Sequence, residues 1–296
     1  MKIGALTSDS GEPSRTAEGA LASPLLRARI SVDYRNKSGV LQDVCVSIDS
    51  GEIVGLVGQS GSGKSTLALA LLNLLPRKGG AVRGQILFQQ EDLLRSSEKR
   101  LRQLRGKEMS IVLQSPLTAL NPVLSIGAQL RECWNVHTSG TAAVREEAIR
   151  STLENVSLPS TPDFLKRWPS QLSLGQGQRV CIAMAILHKP GLLIADEATS
   201  ALDAITQSEI LALFARLNRT LGTAILYISH DLLSVAALCH RVCILHQSQI
   251  VESAPPQQIF HAPQHPYTRQ LIAALPAIPA RPGSKTKTLD KLLLTP

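Results

Sequence analysis

The stretch IVGLVGQSGSGKST, from Ile53 to Thr66, decides the fold. Its first five residues are an unbroken apolar run of buried-strand type, its middle is rich in glycine, and KSTLALALLNLL from Lys64 has apolar residues at helical spacing. The segment from Gly58 to Thr66 fits GxxxxGK[ST] in the strand-to-helix setting that this pattern requires. Gly58, Gly61 and Gly63 let the backbone of Gly58, Gln59, Ser60, Gly61, Ser62 and Gly63 curl so that its amides turn inward toward phosphate oxygens. The helix that begins at Lys64 adds the positive end of its dipole. Lys64 is expected to reach the β- and γ-phosphates of a bound ATP, and the Ser65 hydroxyl, followed by Thr66, to meet Mg2+. An ordinary glycine-rich turn would explain the glycines but not the lysine, the hydroxyl and the flanking elements together.

Working outward, MSIVLQ, LLIADE and TAILYIS are further short apolar runs separated by stretches of helical periodicity, a pattern that argues for a parallel sheet in an α/β core. RISVDY and VCVSI alternate as strands with one buried face, and NKSG between them predicts the turn. From Ser115 to Ser173 strand-like runs give way to GAQLRECW and TAAVREEAIRSTLENV, which read as helices of an insert. Past Ser253 the Pro-rich APPQQIFHAPQHPYTRQLIAALPAIPARPG predicts turns, one helix and a loose tail. No internal repeat is visible.

Composition sets the outer bounds. The chain has 296 residues, 44% of them hydrophobic and 18% charged, which fits a folded globular protein. Its longest apolar runs, LALALLNLL and VCIAMAIL, fall well short of the roughly 20 residues that span a bilayer. The N-terminal stretch lacks an apolar core of signal-peptide length and is expected to be a flexible leader over residues 1–24. Five cysteines without paired spacing suit a reducing compartment. The net charge of +8 invites a nucleic-acid reading, but much of the excess lies in RSSEKRLRQLRGK from Arg95. That helical stretch reads as a solvated face, and no aromatic residues accompany it to stack on bases.

LLIADE ends in Asp196 and Glu197, two carboxylates at the C-terminal end of a buried strand, where α/β folds bind their ligands. Asp196 is expected to hold Mg2+ and Glu197 to polarise the attacking water. A capping pair at the start of a helix in ATSALDAITQ is the plainer alternative. In QLSLGQGQRVCIAMAIL, Ser173, Gly175 and Gly177 lie directly before a helix and offer a second anion site, suited to a phosphate presented by another subunit. Cys239, His240, Cys243 and His246 have ligand-like spacing, yet RVCILHQ reads as a strand after the helix DLLSVAAL, so core packing is the expectation.

In this order the motifs resemble those of ABC transporter ATP-binding subunits across residues 25–253. The resemblance implies an α/β fold, a P-loop NTPase ABC cassette with a RecA-like parallel-sheet core, an antiparallel β-subdomain and a helical insert at about 115–175. The family's adenine-stacking aromatic matches Tyr34, and its Q-loop glutamine matches Gln114, implied in catalysis and as a further Mg2+ ligand. LSLGQ at 172–176 matches the signature, with Ser173, Gly175 and Gln176 implied to bind nucleotide. Asp203 matches the D-loop, and His230, after TAILYIS, matches the switch histidine that contacts the γ-phosphate. Leu174 stands where the signature usually has glycine, beside the partner's nucleotide, and Ala198 where a proline is common.

ILFQQEDLL, LQSPLTALNPVLSIG and HPYTRQLIAALP from His265 further resemble the peptide and nickel importers, the second segment their D-type ATPase. Residues 254–296 are then that group's C-terminal extension. The implied partners are two transmembrane permeases, a second ATP-binding subunit that is a paralogue, and indirectly an extracytoplasmic solute-binding protein, with no nucleic acid. The implied location is the cytoplasmic face of the membrane. Two rivals stay open: a non-transport ABC ATPase acting on nucleic acid or the ribosome, and a regulatory cassette that binds ATP with little turnover.

Overall fold

The computed structural model of the chain describes residues 23–275. The leader, except for its last two residues, and the tail beyond Leu275 lie outside the described residues.

The chain opens with two long antiparallel strands, β1 (Leu26–Tyr34) and β2 (Lys37–Ile48), followed by the central strand β3 (Ile53–Val57) and helix α1 (Lys64–Leu71). β4 (Gly80–Phe88) and the two-residue β5 (Glu91–Asp92) complete a four-stranded antiparallel sheet in the order β2-β1-β4-β5. Alternate side chains of β1 are buried, as its sequence alternation requires. NKSG does not form the whole turn: only Arg35 and Asn36 lie between the strands, and Lys37, Ser38 and Gly39 belong to β2. Asp33 explains the shift, because its Oδ1 accepts a hydrogen bond from Gly39 N at 2.6 Å and holds the start of β2 in the ladder beside irregular register.

Helix α2 (Glu98–Leu104) leads to β6 (Met109–Val112), and then the helices α3 (Pro116–Ala119), α4 (Ile126–His137), α5 (Ala142–Asn155), α6 (Pro162–Leu165) and α7 (Leu174–Ile186) follow without a strand. The chain returns as β7 (Leu192–Asp196), α8 (Ala204–Leu221), β8 (Ala224–Ile228), α9 (Leu232–Leu238), β9 (Arg241–His246) and β10 (Gln249–Ala254). The second sheet has the order β10-β9-β3-β8-β7-β6, parallel from β9 to β6 with β10 antiparallel at the edge. Every residue of β3, β7 and β8 is buried, which is why each reads as an unbroken apolar run.

Beyond β10 the structure has two short helices, α10 (Pro256–His261) and α11 (Pro266–Ala273), where one was expected. Ala262, at φ −141°, breaks the helical run, and His265 starts a new one by accepting a hydrogen bond from Tyr267 N. The basic stretch from Arg95 is mainly a solvated face, with Arg100 paired to Glu91 and Arg102 to Glu98. Arg105 departs from it: its guanidinium turns inward and donates to the carbonyls of Leu72 and Asn73, each at 2.7 Å. It thereby satisfies acceptors left open where α1 ends.

Candidate active site

The phosphate-type loop is held from both ends. Strand β3 lies between β8 and β9, so its last residue, Val57, cannot move independently of the sheet. At Gly58 a Cβ would come within 2.4 Å of the Leu245 carbonyl oxygen on β9. At Gly63, with φ +106°, a Cβ would meet the Leu41 side chain at 2.8 Å and the Val40 carbonyl at 3.2 Å on β2. α1 then starts with no side-chain cap and no acidic residue in its first turn, leaving amides and the positive dipole end facing the loop. Gln59, Ser60 and Gly61 are exposed at the loop's tip, whereas Ser62 Oγ is buried within it and has no hydrogen-bond partner among the described residues.

Lys64 is 5% exposed, and its Nζ donates to the carbonyls of Gly58 at 2.9 Å and Gln59 at 3.0 Å. Burial pushes its ammonium below the usual lysine range, while Glu197 and Asp196 pull it back up. The next residue, Ser65, donates from Oγ to Asp196 Oδ1 at 3.1 Å. Asp196, the last residue of β7, is buried, and burial raises its carboxyl above the usual range against the effect of the Ser65 hydrogen bond.

Glu197 leaves the strand in a left-handed conformation at φ +49° while its N–H still donates to Ile228 O of β8 at 2.9 Å. This turn sends its carboxylate back into the cleft. Oε1 lies 3.9 Å from Lys64 Nζ and 3.7 Å from Nδ1 of His230, which follows the end of β8. The lysine, the serine–aspartate pair, the glutamate and the histidine therefore converge where β3, β7 and β8 end, the ligand position of open α/β sheets. Gln114, just past β6, joins through one intermediary. Its Nε2 donates to Ser200 Oγ at 3.2 Å, and Ser200 Oγ donates to Glu197 O at 3.0 Å. Tyr34 lies against the first turn of α1, its hydroxyl 3.5 Å from Thr66 Oγ1.

A second group of expected residues stands apart. Ser173 caps α7 and exchanges hydrogen bonds with Gln176, each 3.2 Å long. Gly175 and Gly177 are inside α7, not ahead of it. Glycine is accommodated there because of close packing: a Cβ would come within 2.7 Å of Thr206 at Gly175 and 3.3 Å of Pro116 at Gly177. Thr206 also donates to Asp203 Oδ2 at 2.7 Å, and Asp203 caps α8 through the Ile205 and Thr206 amides, whose hydrogen bonds help hold its carboxyl below the usual range. Gly175 and Asp203 thus meet through Thr206, next in the chain to the exposed turn that Ser173 caps. Among the described residues no hydrogen bond joins Ser173 or Gln176 to the Lys64 cleft. Leu174, on the first turn of α7, is 36% exposed, and Ile205, on the first turn of α8, is 76% exposed.

Ser200 is the residue that motif reading passes over, since a serine in ATSALD signals only a helix cap. Of the Cys and His residues with ligand-like spacing only the cysteines are in the core; His240 is exposed and His246 half-buried. Cys239 and Cys243 are buried, His240 Nδ1 accepts from Ile53 N at 3.0 Å, and His246 stacks on Tyr267. Among the described residues no helix is long and apolar enough to cross a membrane.

Comparison with known proteins identifies the family. A family model described as ABC transporter matches residues 41–200, and one described as Oligopeptide/dipeptide transporter, C-terminal region, matches residues 251–292. The dipeptide transport ATP-binding protein DppD of Escherichia coli (strain K12) is 40% identical over 251 residues, covering 84% of this chain and 77% of that protein. The glutathione import ATP-binding protein GsiA of Escherichia coli O1:K1 is 41% identical over 258 residues; the match covers 84% of this chain but 41% of GsiA, so the chain spans about two fifths of that relative's length. A solved structure of the ATP-binding cassette MJ0796, a dimer in a post-hydrolysis state bound to ADP and Pi, superposes with a TM-score of 0.66 at 25% identity, covering 78% of this chain and 98% of that one. With its loop, its paired carboxylates and its C-terminal region all matched in order, the chain belongs to the ABC transporter family as an ATP-binding cassette of the oligopeptide/dipeptide group.

Proposed function

We propose that this chain binds and hydrolyses ATP to power import of peptides, or of a small chelated solute such as nickel, through a membrane permease. The observation that carries the reading is the convergence of buried Lys64, the Ser65–Asp196 pair, Glu197 and His230 in one cleft. The names of the dipeptide and glutathione relatives and the match at 251–292 support the solute class.

In this reading Lys64 exchanges the Gly58 and Gln59 carbonyls for β- and γ-phosphate oxygens, while the amides of the loop surround the same phosphates. Glu197 accepts the proton of the attacking water, and His230, 3.7 Å from it, contacts the γ-phosphate from the other side. Tyr34 packs on the adenine. Asp196 and Ser65, two hard oxygen donors hydrogen-bonded to each other, fit Mg2+. When bound, Mg2+ neutralises charge on the phosphates. Gln114 would join them through its amide oxygen, since its Nε2 is the atom engaged by Ser200. Asp203 orders the start of α8, and Ser173, Gly175 and Gln176 cover the ATP of a second ATP-binding subunit, a paralogue.

The chain would then sit on the cytoplasmic face of the membrane, bound to two permeases and served indirectly by an external solute-binding protein. Pull-down of the full-length chain from solubilised membranes tests this: recovery of the permease pair supports it. Salt-sensitive binding to DNA or RNA without permeases would move the chain to the non-transport class. Leu174 bears on how evenly the two ATP sites work. Leu174→Gly is expected to leave folding unchanged and to keep or raise ATPase activity in the assembled dimer, read as phosphate release, and a clear drop would show that the leucine contributes to the site.

A further inference from the structure

Both ends of the phosphate loop rest on one frame at the edge of the six-stranded sheet. Gly58 lies against the Leu245 carbonyl at the end of β9, and Gly63 against Val40 and Leu41 of β2. The two supports are joined, because Gln42 N donates to Ser248 O at 2.8 Å. Ser248 belongs to the two-residue turn between β9 and β10, in which Gln247 has φ +45° and Ser248 φ +69°. Two left-handed residues in succession form the hairpin turn that strongly favours Asn-Gly, and here neither is glycine. Such positions are strained and persist when their surroundings hold them.

The C-terminal extension supplies that hold. Glu252 on β10 accepts from Gln264 N at 2.8 Å and His265 N at 3.0 Å, and these bonds keep its carboxyl below the usual range although burial works against its charge. His265 Nδ1 accepts from Tyr267 N at 3.2 Å. The capped backbone places the Tyr267 ring flat on His246, with centroids 3.6 Å apart and planes 13° apart. His246 directly precedes the turn and directly follows Leu245. Tyr267 is 7% exposed and its hydroxyl has no partner among the described residues, so its contribution there is the ring.

Resting on the ATPase reading above, we propose that Tyr267 is a positioning residue for ATP: by clamping His246 it keeps the strained β9–β10 turn, and through it both ends of the phosphate loop, in the binding geometry. The test is equilibrium binding of ATP with Mg2+ to the full chain, with thermal unfolding followed alongside. Tyr267→Leu, which keeps apolar volume but loses the stacked ring, is expected to weaken ATP about fivefold, and Tyr267→Phe to stay within about twofold of the unaltered chain. Adding Ser248→Gly to Tyr267→Leu is expected to restore affinity, because glycine takes φ +69° without strain. A folded Tyr267→Leu chain that binds ATP normally overturns the proposal, as does a loss that Ser248→Gly leaves unrelieved. An unaltered chain without ATP affinity overturns the ATPase reading itself.

Discussion

Glu197→Gln is expected to lower steady-state ATP hydrolysis by about 10²–10⁴-fold while ATP affinity stays within a few-fold of the unaltered chain. The two quantities separate for a geometric reason. Glutamine has the shape of glutamate and can keep the left-handed turn at φ +49° and the backbone bond to Ile228, so the cleft remains built. It lacks the charge that takes a proton from water and that lies 3.9 Å from Lys64. Phosphate release and equilibrium nucleotide binding on the same preparation check both halves. Unchanged hydrolysis would remove Glu197 as the base.

Lys64→Ala is expected to weaken ATP by roughly 10²–10⁴-fold, the value of two charge-assisted hydrogen bonds at about 1.5–3 kcal/mol each. The ammonium is well prepared for this task. It is buried, it faces two carbonyls that a phosphate can replace, and its carboxylate neighbour is at the outer limit of an ion pair. In the alanine variant the exposed Gln59 carbonyl can turn to water and the buried Gly58 carbonyl loses its donor, so thermal unfolding is followed beside titration with a non-hydrolysed ATP analogue, where the loss should appear. Normal affinity would refute the role of the loop.

How much of this was legible in the sequence depended on the range of the interaction. β3, β7 and β8 are buried along their whole length, and an unbroken apolar run is the mark of such a strand. The loop between β3 and α1 is likewise local and could be read from nine consecutive residues. The meeting of Glu197 with His230 is not local, because it follows from β7 and β8 being neighbours in a sheet whose order does not follow the chain. Nothing in LLIADE signals that Glu197 turns left-handed. Gly175 and Gly177 look like loop glycines until the close approach of Thr206 and Pro116 is seen. Arg105 is indistinguishable in the sequence from the solvated arginines around it, and its inward turn depends on carbonyls some thirty residues earlier.

The glycines of the phosphate loop are under unequal constraints, and this gives the loop an uneven tolerance to evolutionary drift. At Gly58 any side chain would collide with the backbone of β9, so even alanine requires the neighbouring strand to give way. At Gly61 a Cβ would meet nothing within 4 Å, and only its φ of +76° disfavours other residues. Asparagine, which accepts left-handed backbone more readily than most residues, is therefore a permissible sequence variant at position 61 and a forbidden one at position 58.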